Sequence, residues 1–297
     1  QQPNSMKRIG AIVPLAMAWI GDAVPYERRQ PVLARFLIGH MLGIALATTI
    51  SGWLGEFYGW RAIFVVLSGL YVVTAALLWT ELRTNPATRQ APKPAESMAR
   101  AFLRMFGLTR SPWVRVILAI VFLEGALFYG PLAFAAYHAH RYLGLGIAAS
   151  GMLMAAFAAG GLLYAAVAGR LVPRLGERGL VLAGGSFIGM GYLGLALAPA
   201  AGFAVPCLMS LGAGLYMLHN TLQVHATQMA PESRGAAVAL FAFFLFTGQS
   251  AGVWLASNAV DAAGTAPVFI VAAIGLPLLA LDFRRRLEAH RLTLSHG

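Results

Sequence analysis

The sequence predicts an all-α membrane protein, a polytopic bundle of nine transmembrane helices. Of its 297 residues 59% are hydrophobic and only 11% charged, whereas a soluble domain is apolar over about half of its residues. Apolar runs near twenty residues recur along the whole chain, not only at its start, which excludes a lone signal peptide. Ionisable residues fall mostly between these runs, as a hydrocarbon solvent requires.

The runs are read as spans at residues 9–24, 32–54, 62–79, 113–137, 147–168, 180–197, 203–225, 236–260 and 266–282. Backbone polar groups in lipid must pair internally, so each run is a helix, and the Gly and Pro inside them are tolerable there.

The net charge of +11 is explained by position. With sides alternating span by span, eighteen of the 22 basic residues fall on one side and four (Lys7, Arg8, Arg61, Arg141) on the other. The positive-inside rule makes the first side cytoplasmic, which puts the N-terminus of the chain outside and the C-terminus inside. Arginines gathered between apolar runs, and not on one helix face, argue against nucleic acid as a partner. The partner is the lipid bilayer. Cys207, the single cysteine, lies inside an apolar run, so neither a disulfide framework nor a cysteine metal site is available.

Residues 83–112 carry Pro86, Pro92 and Pro94 with the densest basic cluster and read as a cytoplasmic linker. Three spans precede it in residues 1–82; six follow in residues 113–297. An internal repeat explains the imbalance. Pro25-Tyr26-Glu27-Arg28 resembles Pro231-Glu232-Ser233-Arg234, Gly39 and Gly43 resemble Gly248 and Gly252, and Gly59 and Phe64 resemble Gly264 and Phe269, at offsets of 206, 209 and 205. The first three spans therefore read as the second half of a six-span unit whose complete copy is spans four to nine. On this reading roughly 95 residues and three helices stand upstream, giving twelve spans.

These residues resemble the major facilitator superfamily, whose members join two six-helix bundles by a long cytoplasmic loop. The resemblance covers essentially the whole chain. It rests on Gly21-Asp22-Ala23-Val24-Pro25-Tyr26-Glu27-Arg28-Arg29, on Gly59-Trp60-Arg61-Ala62-Ile63-Phe64, and on His219-Asn220-Thr221-Leu222-Gln223 through Ala230-Pro231-Glu232-Ser233-Arg234-Gly235. It implies spans 4 to 12 of a twelve-helix fold, a small-molecule substrate, protons as coupling ion, and a bacterial inner membrane, with the proton-coupled efflux branch as the nearest pattern. Two departures stand out. In Gly169-Arg170-Leu171-Val172-Pro173-Arg174-Leu175-Gly176-Glu177-Arg178 the family has an acidic residue where Pro173 stands, and near Gly39 and Gly43 its antiporter pattern is altered at Ile44 and Ala47-Thr48.

Glu124 is the candidate for proton coupling. It lies about eleven residues into its span with no basic residue in the same run, where an ionised carboxylate is costly and a proton site is the default reading. The alternative is a neutral side chain hydrogen-bonded between helices.

Tyr216, Asn220 and Gln223 share a helix face by their spacing, and with His219 they are candidates to line a substrate cavity; interhelical hydrogen bonding is the alternative. The resemblance makes this face a neighbour of Glu124. Asp22, Pro25, Arg28, Arg29, Gly169, Arg170, Arg174, Gly176, Pro231 and Arg234 sit at cytoplasmic helix ends as candidate gating residues, although topology alone also puts arginines there. Gly39, Gly43, Gly248 and Gly252 are helix-packing candidates.

No cofactor or metal is expected. The histidines, His40, His219 and His225 among them, show no metal-ligand spacing, and there is no H-E-x-x-H, Walker A loop or G-x-S-x-G. Gly189-Met190-Gly191-Tyr192-Leu193-Gly194 matches G-x-G-x-x-G but lies inside a span, where close helix packing explains it. The expected activity is secondary transport, with export of small amphipathic compounds ahead of nutrient uptake; a membrane-embedded enzyme or a non-transporting fragment are the readings of another class.

Overall fold

The computed structural model of the chain describes residues 49–85, 105–230 and 234–295, with isolated helical positions at 39, 43, 46, 47 and 103. Every regular element among them is a helix. Most of spans 9–24 and 32–54, and most of the 83–112 stretch, lie outside the described residues.

After helical residues 49–57, α1 (Trp60–Thr84) starts beyond Gly59, whose φ of 78° turns the chain between the two. None of its residues is buried, so side chains such as Trp60, Phe64, Leu70 and Trp79 stand on the surface, as a lipid solvent allows. From Pro112 onward the described helices pack around one large core and two small satellite clusters.

The next run is interrupted. α2 (Pro112–Glu124) has Pro112 in its first turn, where the missing N–H costs nothing. It widens into a π turn at Gly125–Tyr129, then continues through α3 (Gly130–Leu132) and α4 (Ala135–Leu143). Pro131 accounts for the irregularity, because its ring collides with the carbonyl four residues back in a regular helix. Gly144, with φ of 72°, ends α4 in a left-handed cap.

The spans expected at 147–168 and 180–197 form one helical trace, α5 (Ile147–Ala196), of 50 residues. At 1.5 Å per residue it measures roughly 75 Å, more than twice a hydrocarbon core. Its single non-helical residue is Gly176, with φ of 61°, and there the chain doubles back. α6 (Ala201–Gln228) shows this: Phe157 and Gly161 lie against Gly212 and Tyr216, and on the other limb Gly184 and Gly191 lie against Gly214 and Cys207. The first limb therefore runs parallel to α6 and the second antiparallel, so α5 is two spans. Pro173 sits within the first limb without ending it, and the turn comes at Gly176, so the two expected spans are found as two limbs joined by a glycine corner.

α7 (Arg234–Ala263) and α8 (Thr265–Ser295) complete the structure. α8 reaches well past the expected end at 282. Beyond Asp282 its sequence is charged, but Arg286 pairs with Asp282 one turn back at 2.7 Å, and helix continues out of the apolar stretch.

Burial follows helical period. In α6, Leu208, Leu211, Leu215, Leu218 and Leu222 recur at three- and four-residue steps and all lie in the core. They meet Ile117 and Val121 of α2, Ile188 and Tyr192 of α5, and Phe269, Leu276 and Phe283 of α8.

Glycine lets the backbones approach. A Cβ at Gly248 or Gly252 of α7 would run into the carbonyls of Phe122 and Ala126, and one at Gly125 would come 2.5 Å from the Leu245 carbonyl. α7 is thereby held against the π turn. A Cβ at Gly189 would come 2.6 Å from the Pro277 ring of α8, so the G-x-G-x-x-G stretch is a packing surface. By contrast, Cβ atoms at Gly39 and Gly43 would meet no described atom within 4 Å.

Candidate functional site

Glu124 closes α2 at the point where the helix widens, about 18 Å along it from Pro112. Its side chain is fully buried. The π turn that follows is anchored by the glycine seam with α7, and by the Tyr192 hydroxyl of α5, which donates to the Phe128 carbonyl. Such turns are frequent at functional sites because they re-aim side chains while keeping the helix running.

Across from it, His219 of α6 brings Nδ1 to 2.8 Å from Glu124 Oε2. With an ionised carboxylate as acceptor, Nδ1 carries the proton and donates. The other carboxylate oxygen, Oε1, is buried and has no hydrogen-bond partner among the described residues. The His219 side chain keeps 16% of its surface exposed against 0% for Glu124, and its ring rests on Phe241 of α7 with centroids 5.6 Å apart. Tyr129, in the π turn, lies within electrostatic range of both Glu124 and Tyr216.

Tyr216, His219, Asn220 and Gln223 are all half-buried on one face of α6, positions spaced to fall on one stripe. Room for Tyr216 comes from Gly161, where a Cβ would sit 2.5 Å from the ring. The structure thus gathers Glu124 and the α6 face into one site, joined through His219. It contains one carboxylate, one imidazole, two phenols and two amides. Such a set can exchange a proton and offer hydrogen bonds to a polar ligand, with Phe241 as apolar wall.

The gating candidates are less concentrated. Gly169, Arg170, Arg174 and Gly176 are exposed around the α5 corner. Asp22, Pro25, Arg28, Arg29 and Pro231 lie outside the described residues, as does the side chain of Arg234; its backbone opens α7.

Contacts at the corner come from its last two residues, which sequence reasoning did not single out. Arg178 pairs with Glu288 of α8 at 2.8 Å, and Glu177 Oε2 lies 3.3 Å from His225 Nε2 of α6. His225 also meets the Trp113 indole edge to face at 5.6 Å. This cluster marks the arginine-rich end of the bundle. At the opposite end the N–H of Ala148 in the first turn of α5 donates to Glu56 Oε2 at 2.6 Å. Beside that contact Ser51, Gly52, Tyr137, Ser150 and Met154 line an apolar cavity of about 370 Å³. Among the described residues no three His, Cys, Asp or Glu side chains are placed to hold a metal ion.

Comparison with known proteins adds a family. Residues 9–253 match the family model described as Major Facilitator Superfamily. The uncharacterized MFS-type transporter YwfA of Bacillus subtilis is 24% identical over 176 residues, covering 59% of the chain and 42% of that protein. The putative uncharacterized transporter YgaY of Escherichia coli is 37% identical over 71 residues, 24% of the chain and 17% of the relative. A protein named transcription regulatory protein OpdE, of Pseudomonas aeruginosa, is 29% identical over 106 residues, 36% of the chain and 25% of its own length. The matched part of the chain spans less than half the length of each of these curated relatives.

Proposed function

Because the chain belongs to the major facilitator superfamily, a family of transporters and not of enzymes, we propose that it works in proton-coupled secondary transport, exporting small amphipathic compounds by alternating access with Glu124 as the proton carrier. The observation that supports this most directly is Glu124 itself: fully buried, paired on one oxygen with His219 and, among the described residues, without a hydrogen-bond partner on the other. An uncompensated carboxylate oxygen in an apolar interior is expensive when charged. Tyr216, His219, Asn220 and Gln223 stand beside it as substrate contacts.

Coupling then requires only that proton and substrate each change the other's affinity. A substrate approaching Tyr216 and Asn220 competes with, or is favoured by, the proton a few ångströms away. On this reading the arginine-rich end faces the cytoplasm of a bacterial cell and the C-terminus lies inside. The α5 corner with Arg170 and Arg174 belongs to the cytoplasmic gate.

The test is reconstitution in liposomes with an imposed pH gradient, following ethidium flux and internal pH together. Wild-type protein moves protons and dye in opposite directions; Glu124→Gln does not couple them. Wild-type flux that ignores the pH gradient, or a Glu124→Gln variant as well coupled as wild type, removes Glu124 from this role. Flux in the same direction as protons reverses the proposed polarity.

A further inference from the structure

Glu124 shows no exposed surface, so a proton cannot reach it from open space without passing through a neighbour. Among the described residues the only side chain hydrogen-bonded to its carboxylate is His219, which touches Oε2 at 2.8 Å and does keep exposed surface. The other ionisable side chains brought to the site, Tyr129 and Tyr216, are phenols that ordinarily hold their protons at neutral pH. Imidazole is the one group present that can accept a proton on one nitrogen and deliver another from the opposite nitrogen near neutrality.

We propose that His219 is the proton relay between Glu124 and the space its own exposed surface meets, an inference that rests on Glu124 being the proton carrier. In the resting arrangement Nδ1 holds the proton and donates to the ionised Oε2. A proton arriving at the exposed side of the ring forms a bond to Nε2 and makes the ring an imidazolium. The Nδ1–H bond then breaks as an O–H bond forms at Oε2. This leaves a neutral Glu124 and a neutral ring with its proton on Nε2. One proton has moved inward, with no change of oxidation state. Release reverses the steps: Oε2 returns its proton to Nδ1 while Nε2 gives one back to the exposed side. The ring need not flip, and it can stay seated on Phe241 throughout.

The relay predicts a loss of rate that an added proton shuttle restores. A structural hydrogen bond has no such rescue, because its loss alters stability and proton affinity alone. The experiment is time-resolved infrared spectroscopy of the chain in lipid nanodiscs after a photoacid pH jump, following the carboxyl band that disappears in Glu124→Gln. In His219→Ala the band should approach its own final amplitude about a hundredfold more slowly, the lower end of what a positioned acid–base group supplies. Free imidazole, added to the buffer, should restore the rate in proportion to its concentration. His219→Gln, which can still donate to Oε2 but cannot shuttle a proton, should be slow too, and it guards against a folding defect in the alanine variant. Wild-type speed in both variants, or slowness that imidazole does not relieve, overturns the relay. A wild-type protein without any titrating Glu124 band overturns the proton-carrier reading itself, and the relay with it.

Discussion

Trp113 at the start of α2 stacks its indole on the His290 imidazole of α8, with ring centroids 3.9 Å apart and planes 7° from parallel. His225 of α6 meets the same indole edge on, and behind it stand Glu177 and the Arg178–Glu288 pair. One indole therefore joins three helices at the arginine-rich end, and two titratable rings report on it.

A protonated imidazole draws electron density from an excited indole more strongly than a neutral one. Trp113 emission, isolated as the difference between wild type and Trp113→Phe, should fall on acidification below the ordinary histidine range, because burial and the neighbouring His225 hold the His290 pKa below its usual value. His290→Gln should flatten that change, since its ring is the one stacked on the indole. A pH profile unaltered by His290→Gln would show that the stack does not report on this end of the bundle.

The glycine seam between α7 and the π turn gives a stability prediction with an internal control. Gly248→Ala places a methyl group against the Phe122 carbonyl, and relief requires the helices to separate. Overpacking of this kind costs about 1–3 kcal/mol. Gly69→Ala on α1 meets nothing within 4 Å and should be neutral or stabilising by up to about 1 kcal/mol, from helix propensity alone. Thermal unfolding in detergent, followed by scattering, checks the order. Equal melting temperatures for the two variants would refute the close approach at Gly248.

How much of this was legible beforehand differs from element to element. Glu124 stood out because a lone carboxylate in an apolar run has no solvated interpretation, and the α6 stripe because residues four and three apart must share a face. Their union through His219 spans 95 residues of sequence. The local pattern put His219 among the cavity candidates but did not pair it with Glu124, and His225 on the same helix faces Glu177 instead. The two spans on either side of the α5 corner were legible as separate apolar runs, but not that the chain would turn at Gly176, which takes a positive φ there. The π turn had its cause in view in Gly125, Gly130 and Pro131. What it does, aiming Glu124 at α6, depends on α7 lying close behind.

At the other end of α4, His138 Nδ1 and Thr265 Oγ1 are 2.6 Å apart and buried, tying α4 to the first residue of α8. Thr265→Val keeps the shape but leaves the ring nitrogen without its partner, a loss of about 1–3 kcal/mol for a buried polar group. Thr265→Ser keeps the hydroxyl and should stay within about 1 kcal/mol of wild type, the methyl group being the only loss. Denaturant or thermal unfolding distinguishes them; valine as stable as serine would mean the hydrogen bond carries no net weight.

The last prediction concerns the seam between helical residues 49–57 and α5. Glu56 accepts a hydrogen bond from the Ala148 N–H, one of the first-turn donors that a helix cannot satisfy internally, and its charge suits that end of the helix dipole. One turn away, a Cβ at Gly52 would lie 3.2 Å from the Gly151 Cα, so the two backbones are in contact there. Glu56→Ala removes the cap and should weaken the seam by about 0.5–2 kcal/mol. Ser150 lines the adjacent cavity and is nearly fully buried, so a Ser150→Cys thiol should react slowly with a maleimide when Glu56 is present. In the double variant Glu56→Ala/Ser150→Cys the labelling rate should rise several-fold, by the population of open seam that this weakening allows. Identical labelling rates with and without Glu56 would mean that the carboxylate touches α5 without holding it.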